Sequence, residues 1–237
     1  GNEVYLVHSL RPETPVDYQS GLNPKIKIIK LNLVRQIAPI HDLSSLLEVI
    51  KILKLIRPDV LHLHSSKAGF IGRTAAFFSR QKEVRVFYSP RGFSFLQTNV
   101  SSFKRLLYFL LEKTGAILAG TIVACSASEA GEAVRLKAKK IAIVENAVDV
   151  EAVPFKYSLA SVSTIKIGTL GRLSPQKNPR DFKKLAKAFI TEEKVEFMWI
   201  GGGEDYCNLC ELKNVMVTGW LPRKEALQVL SQLDIYV

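Results

Sequence analysis

The sequence predicts an α/β protein in which two doubly wound, Rossmann-like domains follow one another. Short apolar runs alternate with longer helical patterns along nearly all of its 237 residues. Such alternation is typical of parallel sheets covered by helices. Small and polar residues at 154–163 interrupt this rhythm, which then starts again. We therefore place the domains at residues 1–155 and 156–237, and the second is small for such a sheet and is expected to be incomplete.

The predicted strands are runs rich in Val, Ile and Leu, and the predicted helices repeat apolar residues three or four positions apart. The strands cover residues 4–8, 26–31, 60–64, 84–89, 121–125, 141–144, 165–170, 196–200, 215–218 and 234–237. The helices cover residues 43–56, 69–80, 103–111, 128–137, 182–190 and 224–233. Because core-type strands lie at both ends of the sequence, we expect it to be a piece of a longer one.

The composition is that of a globular and basic protein. Hydrophobic residues make up 47% of the chain, and the formal net charge is +11. Such a charge suits nucleic acid, an anionic membrane surface or a phosphorylated substrate. Aromatic and basic residues are not interleaved, so we expect no nucleic-acid partner. Three cysteines form no disulfide framework and favour a reducing, cytoplasmic compartment.

The stretch at 106–124 is the most apolar part of the chain. Glu112, Lys113 and Thr114 interrupt it, so we interpret it as a helix followed by a buried strand and not as a membrane span. The basic, amphipathic segment at 103–113 has two interpretations. It could lie on a membrane, or it could be an ordinary core-facing helix, which we favour.

The segment Gly171-Arg-Leu-Ser-Pro-Gln-Lys-Asn-Pro179 is the most informative about function. It joins a strand to a helix through a loop that carries Arg172 and Lys177. Backbone N–H groups, a helix N-terminus and fixed cations are what proteins use to hold phosphate. The spacing matches neither the Walker loop nor the dinucleotide-binding motif. We therefore expect a phosphate-containing ligand of another kind.

A second candidate anion site follows the third predicted strand. His64 and Ser65 end this strand, a serine can cap the next helix, and Lys67 and Gly69 lie in its first turn. His62 and His64 share one face of the strand, so zinc is conceivable, but no third ligand follows at a suitable spacing. A buried, hydrogen-bonded histidine and a substrate contact both remain open, and we expect no metal.

Arg91 and Gly92 form a predicted turn after the fourth strand, within Tyr88-Ser-Pro-Arg-Gly-Phe-Ser-Phe95. The arginine could hold a phosphate or carboxylate through two hydrogen bonds. It could equally do no more than stabilise the turn.

Gly201, Gly202 and Gly203 end the strand at 196–200. They would allow a flat ligand to approach the backbone closely, or they form a plain tight turn. Cys207 and Cys210 follow in a predicted helix. A single Cys-x-x-Cys pair is weak evidence for zinc or for redox chemistry, and we expect neither.

Together these motifs resemble the retaining, nucleotide-sugar-dependent glycosyltransferases of family 4, which have the GT-B fold. Each motif alone is weak, but their order and spacing are specific. They lie at residues 58–69, 88–95, 123–129, 144–149, 171–179, 199–204 and 217–222.

The resemblance implies a role for each group of residues. Arg172 and Lys177 would hold the donor diphosphate and stabilise the charge of the leaving group, without a metal or other cofactor. The nucleobase side would be lined by Gly201, Gly202, Gly203, Thr218, Gly219 and Trp220. The acceptor side would be lined by His64, Ser65, Lys67, Gly69, Arg91 and Gly92.

The sequence departs from the family pattern in three ways. Arg91 stands where many members have a histidine, so a role for that histidine cannot be transferred. The first strand and its glycine-rich loop are missing. The downstream Glu-x7-Glu segment that contacts the donor sugar and ribose is also absent, so the catalytic residues are unknown and we expect the truncated chain to be weakly active or inactive.

The function that the resemblance implies is transfer of a hexosyl or related sugar from a nucleotide-diphosphate sugar to a cell-surface polysaccharide or lipid-linked glycan. Contact with an anionic membrane, at its cytoplasmic face, would suit such an acceptor. A nucleotide-sugar epimerase of the same fold and an inactive nucleotide-binding fragment are the alternatives.

Overall fold

A computed structural model describes residues 1–11, 14, 16–34, 36–81, 83–151, 154, 164–203 and 209–237. The chain divides into two compact units, Gly1–Asn146 and Ala147–Val237. We call them unit 1 and unit 2 and describe each by itself.

Unit 1 alternates strands and helices, as predicted. Its strands are β1 (Tyr5–His8), β2 (Lys27–Lys30), β3 (Val60–His64), β4 (Arg85–Ser89), β5 (Thr121–Ala124) and β6 (Ile141–Ile143). Its α-helices are α1 (Pro39–Ile56), α2 (Ser66–Ser79), α3 (Ser102–Leu118) and α4 (Ala127–Arg135), and a 3₁₀ turn covers Ser94–Leu96. β1 and β2 form a two-stranded parallel sheet, and β3 to β6 form a second parallel sheet in sequence order.

Unit 2 contains one four-stranded parallel sheet. The elements are β7 (Ile165–Leu170), a 3₁₀ turn (Pro175–Lys177), α5 (Pro179–Ala188), β8 (Val195–Ile200), β9 (Val215–Val217), α6 (Arg223–Leu230) and β10 (Ile235–Tyr236). The strand order is β10-β7-β8-β9. The chain therefore moves outward from β7 to β9 and then returns to the other side of β7. Since parallel crossovers are right-handed, this reversal puts α5 and α6 on opposite faces of the sheet.

Every predicted strand is confirmed, with ends within about one residue of the prediction. The helix predicted at 103–111 is longer, because α3 continues to Leu118. The polar residue Glu112 does not end the helix, since its carboxylate is buried and paired with Arg73.

The core of unit 1 contains this ion pair. Arg73 is fully buried, its Nη2 lies 2.7 Å from Glu112 Oε2, and Tyr88 Oη donates to Glu112 Oε1 at 2.7 Å. The Arg73 guanidinium also lies over the Tyr88 ring. Burial, followed by the nearby charge of Glu112, raises the pKa of Tyr88. One network thus joins α2, β4 and α3.

Candidate functional site

The loop that follows β7 is held in place by hydrogen bonds that continue beyond the strand. Gly171 N donates to Ile200 O, and Leu173 N donates to Gly202 O, both at 2.9 Å. Leu173 is buried, whereas Arg172 between these anchors is exposed. The backbone that carries the Arg172 side chain is therefore fixed.

Trp199 is a third anchor of this loop, and sequence reasoning missed its role. The indole is buried, and its Nε1 donates to Gly171 O at 2.9 Å. A buried tryptophan needs a partner for its N–H, so a tryptophan within a buried strand was a signal that could have been used. It supports the loop without being exposed to a ligand.

Lys177 lies in the 3₁₀ turn just before α5, and its carbon chain passes over Gly171. A Cβ atom added at Gly171 would lie 3.1 Å from Lys177 Cε. Among the described residues, neither Arg172 nor Lys177 has a hydrogen bond or ion pair through its charged group. Two exposed cations are therefore available at one end of the sheet.

Their position in the topology is one where α/β proteins bind ligands. β10 and β8 lie on either side of β7. All of these strands are parallel, but the order in which the chain adds them to the sheet reverses at β7. In open α/β sheets, ligands bind outside the carboxyl ends of the strands at such a switch point. The loop carrying Arg172 follows the carboxyl end of β7.

The structure explains why glycines follow β8. A Cβ atom at Gly201 would lie 2.3 Å from Gly171 O, and one at Gly203 would lie 2.2 Å from Leu173 O. Both residues also have positive φ angles, 132° and 157°. Glycine is therefore required at both positions for the chain to pass beside residues 171–177, which we call the cationic loop because they include Arg172 and Lys177.

Trp220 provides an exposed aromatic surface beside these glycines. Its side chain is 70% exposed, and a Cβ atom at Gly202 would lie 2.8 Å from its Cδ1. Thr218 Oγ1 accepts a hydrogen bond from Gly201 N at 3.1 Å. The predicted nucleobase-side segments 201–203 and 218–220 therefore lie next to each other, and an exposed indole can stack on a flat ring.

The predicted acceptor-side residue His64 lies at the carboxyl end of β3, and His62 lies two residues earlier in the same strand. The rings of His62 and His64 are neighbours, with centroids 4.2 Å apart, and His62 Nε2 is 2.9 Å from Ser89 Oγ. Partial burial is the main cause that lowers the pKa of both rings. The neighbouring His62 ring lowers the pKa of His64 next, and the positive charge of Arg91 lowers both. His62 is thus hydrogen-bonded, and Arg91 lies near both rings.

Glu129 holds the turn that contains Arg91, a role that the sequence did not suggest. Its carboxylate is buried, and it accepts hydrogen bonds from Gly92 N at 2.6 Å and from Cys125 N at 2.7 Å. Its hydrogen bond with the Cys125 side chain raises the pKa of that thiol. Arg91 has a φ of 51°, so this turn is strained and needs such support.

Two predicted acceptor-side residues have contacts within the protein. Lys67 Nζ forms an ion pair with Asp42 Oδ1 at 2.6 Å and donates to the carbonyls of Val34 and Gln36. A Cβ atom at Gly69 would lie 2.2 Å from the Tyr88 ring. Ser65 occupies the N-cap position of α2, with a φ of 74°, and makes no side-chain capping bond.

The structure contains no cluster of three or more His, Cys, Asp or Glu side chains that could hold a metal ion, within the residues that it describes. Cys207 and Glu204 lie outside those residues. Cys125 is half-buried, and Cys210 is exposed. None of the described helices is long and apolar enough to cross a membrane.

Comparison with known proteins adds three findings. The Glycosyl transferase 4-like domain matches residues 5–147. The chain is 30% identical, over 229 residues, to an Escherichia coli UDP-Gal:alpha-D-GlcNAc-diphosphoundecaprenol alpha-1,3-galactosyltransferase, covering 86% of this chain and 58% of that enzyme. It thus spans little more than half the length of this relative.

Two solved structures confirm the GT-B fold. Sucrose-phosphate synthase from Thermosynechococcus elongatus has a TM-score of 0.72 at 13% identity, covering 99% of this chain and 64% of that one. Anabaena HepE, in complex with UDP and glucose, has a TM-score of 0.69 at 14% identity, covering 98% of this chain and 73% of that one.

Proposed function

Since the chain belongs to the glycosyl transferase 4-like family, we propose that it is the part of a glycosyltransferase that holds a nucleotide-sugar donor in unit 2 and a glycan acceptor in unit 1. One observation carries the donor assignment. Arg172 and Lys177 are cations without described partners, on a backbone fixed at the switch point of the sheet.

These cations suit the chemistry of sugar transfer. When the bond between the sugar and the nucleotide breaks, the diphosphate leaves with more negative charge than it carried in the donor. Fixed cations stabilise that charge more in the transition state than in the ground state. Arg172 and Lys177 would do so without a metal ion, and we propose a retaining transfer on the strength of the family resemblance.

Uridine is the nucleoside that we propose for the donor. The galactosyltransferase relative is named for a UDP-sugar, and the HepE structure contains UDP. In this chain, the exposed Trp220 indole next to Gly202 supports a stacking site for a base.

The acceptor that we propose is a lipid-linked glycan of cell-surface polysaccharide assembly, used at the cytoplasmic face of the membrane. The galactosyltransferase relative is named for a diphosphoundecaprenol-linked sugar. In unit 1, Arg91 beside two histidines supports binding of an anionic or hydroxyl-rich group. His64, Ser65 and Gly92 remain candidates there, whereas the ammonium of Lys67 is already paired.

Calorimetric titration with UDP in a metal-free buffer tests the donor site. We expect UDP to bind, and Arg172→Ala or Lys177→Ala to weaken it about tenfold or more, because each removes a charged hydrogen bond to phosphate. The control is Lys187→Ala, which removes an exposed charge at the far end of α5. Equal affinity of all three variants and the parent would disprove the assignment.

A further inference from the structure

The outward side of α3 is mostly apolar, with Thr114 as an exposed polar residue on it. Phe103 is 77% exposed, Leu106 56%, Leu110 50% and Ile117 51%. These residues recur three, four or seven positions apart, so they share one side of the helix. With Leu107, which is 36% exposed, they form what we call the α3 face.

The side of α3 that packs on unit 1 contains Tyr108 and Phe109, which are partly buried against the core. Its fully buried residues are Glu112, Gly115 and Ala116. A surface helix of a globular protein normally has polar residues on its outward side. The prediction of a core-facing helix therefore holds for Tyr108 and Phe109, but it does not account for the exposed apolar residues of the α3 face.

Apolar side chains are also exposed on α2. α2 and α3 pack against each other, and Phe77 and Phe78 near the end of α2 are 52% and 57% exposed. Phe77 and Ala119, which directly follows α3, line the same shallow pocket. Unit 1 thus exposes further large apolar side chains on the helix that packs against α3.

The charges around the α3 face are positive. Lys104, Arg105 and Lys113 are the basic residues of α3, and Glu112, its one acidic residue, is buried against Arg73. Residues 1–146 contain 21 Lys and Arg against 11 Asp and Glu, whereas residues 147–237 contain 12 against 11. Almost all of the net positive charge of the chain therefore lies in the unit that exposes the α3 face.

We propose that the α3 face docks unit 1 on an anionic lipid bilayer. An in-plane helix with aromatic and leucine side chains on one side and basic residues at its edges is the form that binds such surfaces. Each Lys or Arg near anionic headgroups adds electrostatic attraction to the surface. A helix of 17 residues is about 25 Å long, so it lays several apolar side chains on the surface together. A protein partner would require complementary acidic groups, and nothing on α3 selects for one.

The docking would orient the proposed acceptor site. β4 ends at Ser89 and α3 begins at Ser102, so the first turn of α3 lies at the same end of the β3–β6 sheet as Arg91. This orientation rests on the proposed function. The docking itself does not, because it follows from the α3 face and the charge of unit 1.

Co-sedimentation of the protein with lipid vesicles tests the docking. We expect binding to vesicles of phosphatidylcholine with about one third phosphatidylglycerol, and much weaker binding to phosphatidylcholine alone. Phe103→Ser with Leu110→Ser should reduce the partition coefficient about tenfold or more, because both side chains lose apolar contact with lipid. The matched control is Leu185→Ser with Met216→Ser, two exposed apolar positions of unit 2, which should bind as the parent does.

A second double variant tests the contribution of the basic residues of α3, and it can be used even if the first variant folds poorly. Lys104→Glu with Lys113→Glu should abolish the preference for phosphatidylglycerol. UDP titration of each variant shows whether unit 2 is intact, so failure of membrane docking and failure of the donor site are distinguishable. The proposal is overturned if the parent does not bind anionic vesicles, or if the α3 variants bind them as well as the control. It is also overturned if the α3 face instead forms a dimer in solution that the Phe103 and Leu110 changes dissociate.

Discussion

At the scale of single residues, the site of unit 1 depends on how Arg91 and the two histidines affect one another. Both rings are partly exposed, yet the pKa of each lies below the ordinary value of 6.5, and desolvation is the main cause for both. The next cause is Arg91 for His62, whereas for His64 it is the His62 ring, followed by Arg91. At neutral pH the rings are therefore uncharged. Each can accept or donate a hydrogen bond, while Arg91 supplies the positive charge.

We predict that Arg91→Gln raises the pKa of His62 and His64, though not fully to 6.5, because partial burial is the larger cause. Titration of the histidine ring protons by NMR measures both values. Lys51→Gln, which removes an exposed charge from α1, should leave them unchanged. If Arg91→Gln moves neither ring, Arg91 does not lie near them in solution.

The same shifts predict how stability depends on pH. The unfolded chain binds protons on these histidines more readily than the folded chain does, because their folded pKa values are lowered. The free energy of unfolding should therefore decrease as the pH falls through 6.5 towards the folded values. Urea unfolding at a series of pH values checks this, and His62→Gln should reduce the slope.

At the scale of secondary structure, Glu129 connects the start of α4 to the turn after β4. It occupies the first turn of α4, where Ser126 accepts a hydrogen bond from its N–H at 3.2 Å. Its two carboxylate oxygens accept N–H groups from two different segments. One side chain thus joins the segment just before α4 to the turn that carries Arg91.

We predict that Glu129→Gln lowers the free energy of unfolding by about 1–3 kcal/mol, because an amide can accept only one of the two hydrogen bonds with its oxygen. Urea unfolding measures the change. Glu132→Gln, on the same helix, removes only an exposed ion pair with Arg135 and should cost less than about 1 kcal/mol. Similar losses for the two variants would contradict the bracing role.

Two helical glycines give a test of the buried network. A Cβ atom at Gly115 of α3 would lie 2.6 Å from the Arg73 guanidinium, whereas one at Gly131 of α4 would meet no atom within 4 Å. Gly115→Ala should therefore destabilise the protein by about 2–4 kcal/mol, through overpacking and disturbance of the ion pair. Gly131→Ala should be neutral or stabilise it by up to about 1 kcal/mol.

Thermal or urea unfolding of the two alanine variants makes this comparison directly. If Gly115→Ala is as stable as Gly131→Ala, Arg73 does not occupy the space beside α3.

At the scale of the whole molecule, the two units differ in charge and in the kind of site that they carry. Unit 2 contains Arg172 and Lys177, whose charged groups have no partner among the described residues, and the exposed indole of Trp220. Unit 1 contains the histidine and arginine site, nearly all of the excess positive charge and the α3 face. This division agrees with a donor nucleotide in one unit and an acceptor at a membrane surface in the other.

Hydrogen exchange measured by mass spectrometry should separate these roles. We predict that UDP slows amide exchange at residues 171–177 and 218–220, where the proposed diphosphate and base sites lie, and leaves residues 60–92 unchanged. The Lys177→Ala variant at the same UDP concentration is the control. Protection confined to residues 60–92 would show that UDP binds in unit 1, and it would contradict a nucleotide site in unit 2.

The sequence by itself determined the order of the strands along the chain, the type of fold and the two cations of the cationic loop. Apolar runs and glycine-containing turns are local signals. In a motif such as residues 171–179, the residues that could bind a ligand lie close together in the sequence. These features could be predicted because they depend on neighbours in the chain.

Only the tertiary structure decided which side chains are free to act. Lys67 looked like an anion ligand, but Asp42, distant in sequence, occupies its ammonium. Glu112 looked like the end of a helix, but Arg73 and Tyr88 bury it. Trp199 and Glu129 gained supporting roles from partners 28 and 37 positions away. The exposed apolar side of α3 was likewise hidden, because periodicity shows that a helix has an apolar side but not which side the rest of the protein covers.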